Sequence, residues 1–283
     1  MKEWVRPPPP NLIYNAEDML GAIIGDVVGS RWEFNPTNDY NFEWLSSENG
    51  FTDDTICTIA VADALLHGSD NYGKYIHEWC RRYPHPMGGY GGRFAKWVQS
   101  VSPQPYGSYG NGSAMRVSPI GMWFDKREEV LEHAKKSAEC SHNHPEGIKG
   151  AQSVALAVHY AIELRDLILY DYMCGMKELV GYAANPFGYE KDFRKEDVIN
   201  KFNETCQGTV PVALWIIYQS RSFEDAIRKA VSLGADADTL GAIVGGIAEQ
   251  IWGIPNEIKV NVMNILPDEM KQVLNLFYEK KEV

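Results

Sequence analysis

Thr239-Leu240-Gly241-Ala242-Ile243-Val244-Gly245-Gly246-Ile247-Ala248-Glu249-Gln250-Ile251-Trp252 is the stretch whose reading decides the fold. Its small residues are interleaved with Leu240, Ile243, Val244, Ile247 and Ile251, which gives an apolar helix whose backbone a neighbour can approach closely. A glycine inside a helix costs up to about 1 kcal/mol relative to alanine, so three of them in one helix point to tight packing rather than accident. Gly21, Ala22, Gly25 and Gly29 carry the same signature near the other end of the chain. Both segments are expected to be central, and the aspartates at their ends to sit deep.

Outward from these two, helical periodicity covers residues 16–28, 53–66, 72–82, 126–141, 147–169, 211–219, 223–233, 239–252 and 267–278. Boundary signals accompany it: Ser222 is followed three residues later by Asp225, and Gly234 closes that helix. No long alternating run of β-branched residues, no repeat and no low-complexity tract interrupts the pattern. The expected architecture is all-α, a single compact multi-helix domain over residues 16–283. A proline-rich arm, residues 1–15, precedes it, since the four prolines at 7–10 cannot enter a helix interior.

With 45% hydrophobic and 23% charged residues, the 283-residue chain is of ordinary globular composition. Its formal charge of -11 argues against general nucleic-acid binding and against an anionic membrane surface. No apolar run of about 18 residues appears, and Met1-Lys2-Glu3-Trp4 leads into prolines rather than a signal-peptide core, so a soluble cytoplasmic protein is expected. Cys57, Cys80, Cys140, Cys174 and Cys206 are scattered without a C-x-x-C pair, which suits buried thiols better than a disulfide framework or zinc site. Cys140-x-His142-x-His144 likewise fits no common zinc spacing, and His144 reads as a polar loop residue.

Two acidic clusters stand at helix starts. Thr52-Asp53-Asp54-Thr55 precedes one apolar helix, and Asp236-Ala237-Asp238-Thr239 precedes another. Each alone reads as capping, where side-chain oxygens bond free N–H groups and carboxylates offset the helix dipole. Aspartates two apart point about 200° from each other on a regular helix, so they share a target only in the turn leading into it. If both clusters and Glu33 met in one pocket, five carboxylates would repel one another unless cations neutralised them. Such hard oxygens suit Mg²⁺, Mn²⁺ or Ca²⁺, and a pair of these ions could bind a hydroxyl or phosphate oxygen and acidify a water. The spacing does not bring the clusters together.

A family resemblance carried by four motifs in order implies that they meet. Gly25-Asp26-x-x-Gly29-x-x-x-Glu33, Thr52-Asp53-Asp54-Thr55, Gly107-Ser108-Tyr109-Gly110-Asn111-Gly112-Ser113-Ala114-Met115-Arg116 and Asp236-x-Asp238-Thr239 resemble the ADP-ribosylglycohydrolase family. The resemblance implies an all-helical domain with two divalent cations, Mg²⁺ or Mn²⁺. It gives Thr52, Asp53 and Asp54 to one side of the metal pair, and Asp236, Asp238 and Thr239 to the other, with Asp238 bridging. Glu33 would act on the attacking water or gate the scissile ribose. Gly107, Ser108, Tyr109, Gly110, Asn111 and Gly112 would cradle the diphosphate, assisted by His142, with Tyr109 near the adenine. Asp26 either shapes the end of its helix or contacts substrate. The sequence departs from the family at Ala237, often polar, and Pro103 and Pro105 leave the second adenine-stacking aromatic unplaced.

The implied activity is metal-dependent hydrolysis of the glycosidic bond at ribose C1, releasing ADP-ribose from a protein, nucleic acid or small molecule. A non-catalytic ADP-ribose binder and a metal-dependent nucleotide phosphatase are the competing readings. The sequence does not identify the acceptor.

Overall fold

The computed structural model describes residues 19–190 and 192–281. The proline-rich arm and residues 16–18 of the first expected helix lie outside the described residues. Fifteen α-helices are present among the described residues, with no strand and a single isolated bridge between Gly110 and Thr205. They are α1 (Gly21–Gly29), α2 (Asp53–Leu66), α3 (Tyr72–Arg82), α4 (Gly92–Gln99), α5 (Ser118–Trp123), α6 (Arg127–Glu139), α7 (Pro145–Glu163) and α8 (Arg165–Tyr170). After these come α9 (Tyr172–Ala184), α10 (Lys195–Val198), α11 (Cys206–Gln219), α12 (Phe223–Val231), α13 (Ala237–Trp252), α14 (Asn256–Met263) and α15 (Asp268–Lys281). None is long and apolar enough to cross a membrane.

The pair read as central is central: every residue of α1 and of α13 is buried. The two helices touch backbone to backbone. A Cβ on Gly25 would lie 1.9 Å from the Gly241 carbonyl oxygen, and one on Gly29 would lie 2.3 Å from that of Ala237. No side chain larger than hydrogen fits at such a crossing. Glu249, deep in α13, reaches the start of α1, where its carboxylate accepts from the N–H groups of Leu20 (3.2 Å) and Gly21 (2.9 Å). It thereby satisfies two of the donors that a helix start leaves open.

Several boundaries differ from expectation for identifiable reasons. The helix expected at 211–219 begins at Cys206, capped by the Thr205 hydroxyl, which accepts from Gly208 N–H (3.2 Å); Pro211 is carried inside rather than opening it. The helix expected at 147–169 starts earlier, at Pro145, and breaks at Leu164 between α7 and α8. His144, expected to be an ordinary polar loop residue, is the N-cap of α7, its Nδ1 accepting from Glu146 N–H (3.1 Å).

Candidate active site

Residues separated by two hundred positions meet where α1, α2 and α13 converge. Thr52 caps α2, its hydroxyl accepting from Asp54 N–H (3.2 Å), so Asp53 and Asp54 occupy the first turn. Asp26, wholly buried on α1, binds this turn: it accepts from the Thr52 N–H (3.0 Å) and hydroxyl (2.8 Å), from the Thr55 N–H (3.1 Å), and from the Thr55 hydroxyl. All these donors are protein groups, which gives Asp26 a structural part, holding α2 against α1.

On the other side, Asp236 is the N-cap residue of α13 and Asp238 lies in its first turn. That placement in the turn solves the direction problem that a regular helix would pose. Carboxylate oxygens of Glu33, Asp236 and Asp238 all lie within 4.8 Å of one another. Thr239 links the two halves, its hydroxyl donating to Asp54 Oδ2 (3.3 Å). The remaining oxygen of Asp54, Oδ1, is buried with no hydrogen-bond partner.

The electrostatics are those of uncompensated acid. Burial, then the charges of Asp26 and Glu33, push Asp53 up to about 8. Burial, then Asp236, raise Glu33 to about 7, and burial raises Asp26 to about 6 against four hydrogen bonds that oppose it. Asp54 and Asp238 are held well above the ordinary carboxylate range, again by burial first and then by neighbouring carboxylates. A buried group of carboxylates with an unpartnered oxygen is a donor set that suits a hard divalent cation. The residues present fit that group.

The cluster lines a cleft of about 570 Å³, within the range typical of small-molecule sites. Ser108, Tyr109, Gly110, Asn111 and Gly112 line it, as does His142. His142 Nε2 would be 3.0 Å from a Cβ on Gly112, so the imidazole and the glycine loop are in close contact. Burial, with the charges of Arg116 and Arg93, holds the imidazole well below its ordinary range. The cleft is therefore polarised, with the carboxylates gathered around Glu33 and the cations of Arg116 and Arg93 acting on His142.

Not every residue singled out in the sequence faces this cleft. Gly107, at φ +66°, gives its N–H to Asn143 Oδ1 (2.7 Å) and is not among the lining residues. Thr52 stands behind Asp54. Asn111 lines the cleft, but its N–H donates to the Glu204 carbonyl (2.7 Å) and its side-chain amide to Asp236 Oδ2 (2.7 Å) and Thr209 (3.1 Å). Its amide thus aims an acidic ligand rather than lying free. Tyr109 is 45% exposed and packs edge-on against His144, with ring centroids 5.2 Å apart.

The sequence reading missed the opposite wall. Gly88-Gly89-Tyr90-Gly91-Gly92 lines the cleft, with φ of +75° and +80° at the first two, and Gly88 sits against the Glu33 carboxylate. Four glycines flanking one tyrosine were a visible signal of close backbone approach. Arg93, Tyr106, Phe34 and Glu204 were missed as well, and they carry no local signature.

A family model described as ADP-ribosylglycohydrolase matches residues 17–282. The chain is 24% identical to the ADP-ribosylhydrolase ARH3 of Xenopus tropicalis, over 83% of this chain and 86% of that protein. It is 25% identical to the human protein of the same name, over 83% and 84%. It is also 25% identical to the ADP-ribosylarginine hydrolase Tri1 of Pseudomonas putida, over 83% and 70%. Among solved structures, one titled "ADP-ribosylglycohydrolase-related protein complex" shares the fold, with a TM-score of 0.67 at 22% identity, covering 94% of this chain and 97% of that one.

Proposed function

The chain belongs to the ADP-ribosylglycohydrolase family and is a hydrolase of ADP-ribose linkages, and from that premise we propose that it cleaves the glycosidic bond at ribose C1 with two divalent cations, Mg²⁺ or Mn²⁺. The observation that carries this reading is the convergence of Glu33, Asp236 and Asp238 within 4.8 Å in a polarised cleft. Asp53 and Asp54 would hold one cation, with Thr52, the ligand the sequence suggested beside them, fixing their turn instead, and Asp236, Asp238 and Thr239 would hold the other. When bound, these ions would supply positive charge to the ribose hydroxyls and lower the pKa of a water.

The chain's own residues divide the remaining work. Asn111 fixes the Asp236 carboxylate, and Thr239 fixes that of Asp54. Glu33, whose carboxylate lies beside those of Asp236 and Asp238, is suited to take the proton of the water that attacks C1 and to return it to the leaving group as the bond to the carrier breaks. Ser108, Gly110, Gly112 and His142 would bind the diphosphate, with the glycines admitting its oxygens and Gly107 shaping the turn. Tyr109 offers a half-exposed ring for the adenine. Anchoring the diphosphate at one end positions C1 at the other, which is where binding energy becomes rate.

The acceptor end favours a cation. Phe34, 72% exposed, follows Glu33 at the mouth, the Phe202 ring is 6.5 Å from it, and the Glu204 carboxylate adds charge. Aromatic faces beside carboxylates suit a guanidinium, so ADP-ribosylated arginine is the acceptor class the rim supports best.

Product analysis tests the reaction. ADP-ribosylated arginine and serine peptides incubated with Mg²⁺ or Mn²⁺ should yield free ADP-ribose, fastest from arginine. Release of AMP or phosphate would indicate phosphatase chemistry instead. Tight ADP-ribose binding without any product from a panel of linkages would make the protein a binder.

A further inference from the structure

Arg116 ends the glycine motif, yet the reaction as described gives it no task. It is one of the largest fully buried side chains, at 0% exposure, in the wall of the cleft behind His142. Its Nη2 donates to the Ser137 carbonyl (2.7 Å) and to the Ser141 hydroxyl (3.1 Å), while Nε and Nη1 have no partner. A buried guanidinium left half-bonded is costly and calls for an explanation.

Ser141 connects it to the site. Its Oγ lies 2.8 Å from His142 Nδ1, and Ser141 is itself wholly buried. A guanidinium only donates, so the Ser141 oxygen must accept from Arg116. The hydroxyl hydrogen is then free for one other acceptor. Among the described residues the choices are His142 Nδ1 at 2.8 Å and the Cys140 sulfur at 3.8 Å, and the nitrogen is the better placed. Nδ1 therefore receives a hydrogen bond and carries no proton, which leaves the proton on Nε2. Nε2 is the atom beside the loop, 3.0 Å from the Cβ position of Gly112 and 3.5 Å from that of Gly110.

We propose that Arg116, acting through Ser141, locks His142 in the neutral Nε2–H tautomer, so that a single uncharged donor faces the diphosphate subsite. Arg116 and Ser141 are positioning residues, since neither needs to touch the ligand. The ligand chemistry is an anionic phosphate oxygen that accepts from Nε2–H. This deepens the proposed function and rests on it for the identity of the ligand, but the tautomer itself is a property of the ligand-free protein.

The test separates the two. ¹⁵N NMR of the histidine-labelled wild-type protein, with the His142 resonances assigned by their loss in His142→Asn, should show Nε2 protonated and Nδ1 bare. In Ser141→Ala the His142 signals should move toward a mixture of tautomers, and in Ser141→Thr, which keeps the hydroxyl, they should stay as in wild type. Titration with ADP-ribose should give a dissociation constant raised about 2- to 10-fold in Ser141→Ala and restored in Ser141→Thr, the size of one hydrogen bond. A wild-type His142 protonated on Nδ1, or an unchanged tautomer in Ser141→Ala, would overturn the relay whatever the ligand proves to be. The expected tautomers with no ADP-ribose binding by wild type would leave the relay standing and remove the ligand assignment instead.

Discussion

Glu249→Gln should remove the pH dependence of one part of the protein's stability. The carboxylate is buried in α13 and bonded to the N–H groups of Leu20 and Gly21 at the start of α1. Burial raises it from the ordinary 4.5 to about 8, despite those two bonds. Because the folded state holds the proton more tightly than the unfolded chain, the contribution to stability is fully present below about pH 4.5 and is lost as pH rises through about 8. At about 1.4 kcal/mol per pH unit, that window corresponds to about 5 kcal/mol. Glutamine cannot titrate, and it can accept through only one oxygen, so the variant should lose about 1 kcal/mol at low pH by sacrificing one bond. The two effects have opposite signs. Wild type should be the more stable near about pH 5 and the variant near about pH 9, with a crossover between. Urea unfolding of both proteins across that range, in saturating Mg²⁺ to hold the acidic cluster constant, measures the difference directly. Parallel stability curves for the two proteins would refute a buried, proton-holding Glu249.

Asp238→Ala should abolish turnover and divalent-cation binding while the protein stays folded, since the lost helix-start contact is worth about 0.5 to 2 kcal/mol; calorimetric Mg²⁺ titration beside a thermal melt checks both halves, and near-wild-type turnover would remove the two-cation reading. Glu33→Gln should retain ADP-ribose binding while turnover falls by about two orders of magnitude or more, so equal losses in both would make Glu33 a ligand rather than a base. In Gly112→Val the new Cβ meets His142 Nε2 at 3.0 Å. Affinity for ADP-ribose should fall by about 1 to 3 kcal/mol while affinity for ribose holds, and an unchanged affinity would make the loop a mere turn. Chelation by EDTA should stop turnover and Mg²⁺ or Mn²⁺ should restore it; full activity in excess chelator would count against any cation.

What the sequence displayed was local. Gly25 and Gly241 announced a close crossing because glycine is the residue such contact demands, and Thr52 announced a helix start because its hydroxyl bonds within three residues. Longer-range work left no such trace. Asn111 holds Asp236 across 125 positions, and the motif containing it suggested a phosphate loop instead. Helix α9 is absent from the helices expected from periodicity; Gly175 and Gly181 depress its helix propensity, yet a Cβ on Gly175 would stand 2.6 Å from Ile168 Cγ1, so packing requires that glycine. The break at Leu164 has neither glycine nor proline to mark it, and the apolar period runs through it unchanged.

The close crossing also bears on the chemistry. Where α1 meets α13 with no room for a Cβ at Gly25, Gly29 or Gly241, the acidic turns at the same end of the crossing are drawn together, and Ala237 between the two aspartates is wholly buried against Gly29. No lysine or arginine reaches the cluster from α1 or α13, because neither helix contains one. Neither helix of the crossing thus compensates the carboxylates; protons would, held by the raised Asp53, Glu33 and Asp26, as would cations that displace them. Protonated carboxyls could not activate a water, whereas divalent ions held by the ionised carboxylates would orient the ribose hydroxyls and lower the pKa of a water. The packing that the glycines signal is thus what gathers the carboxylates that a divalent cation would need.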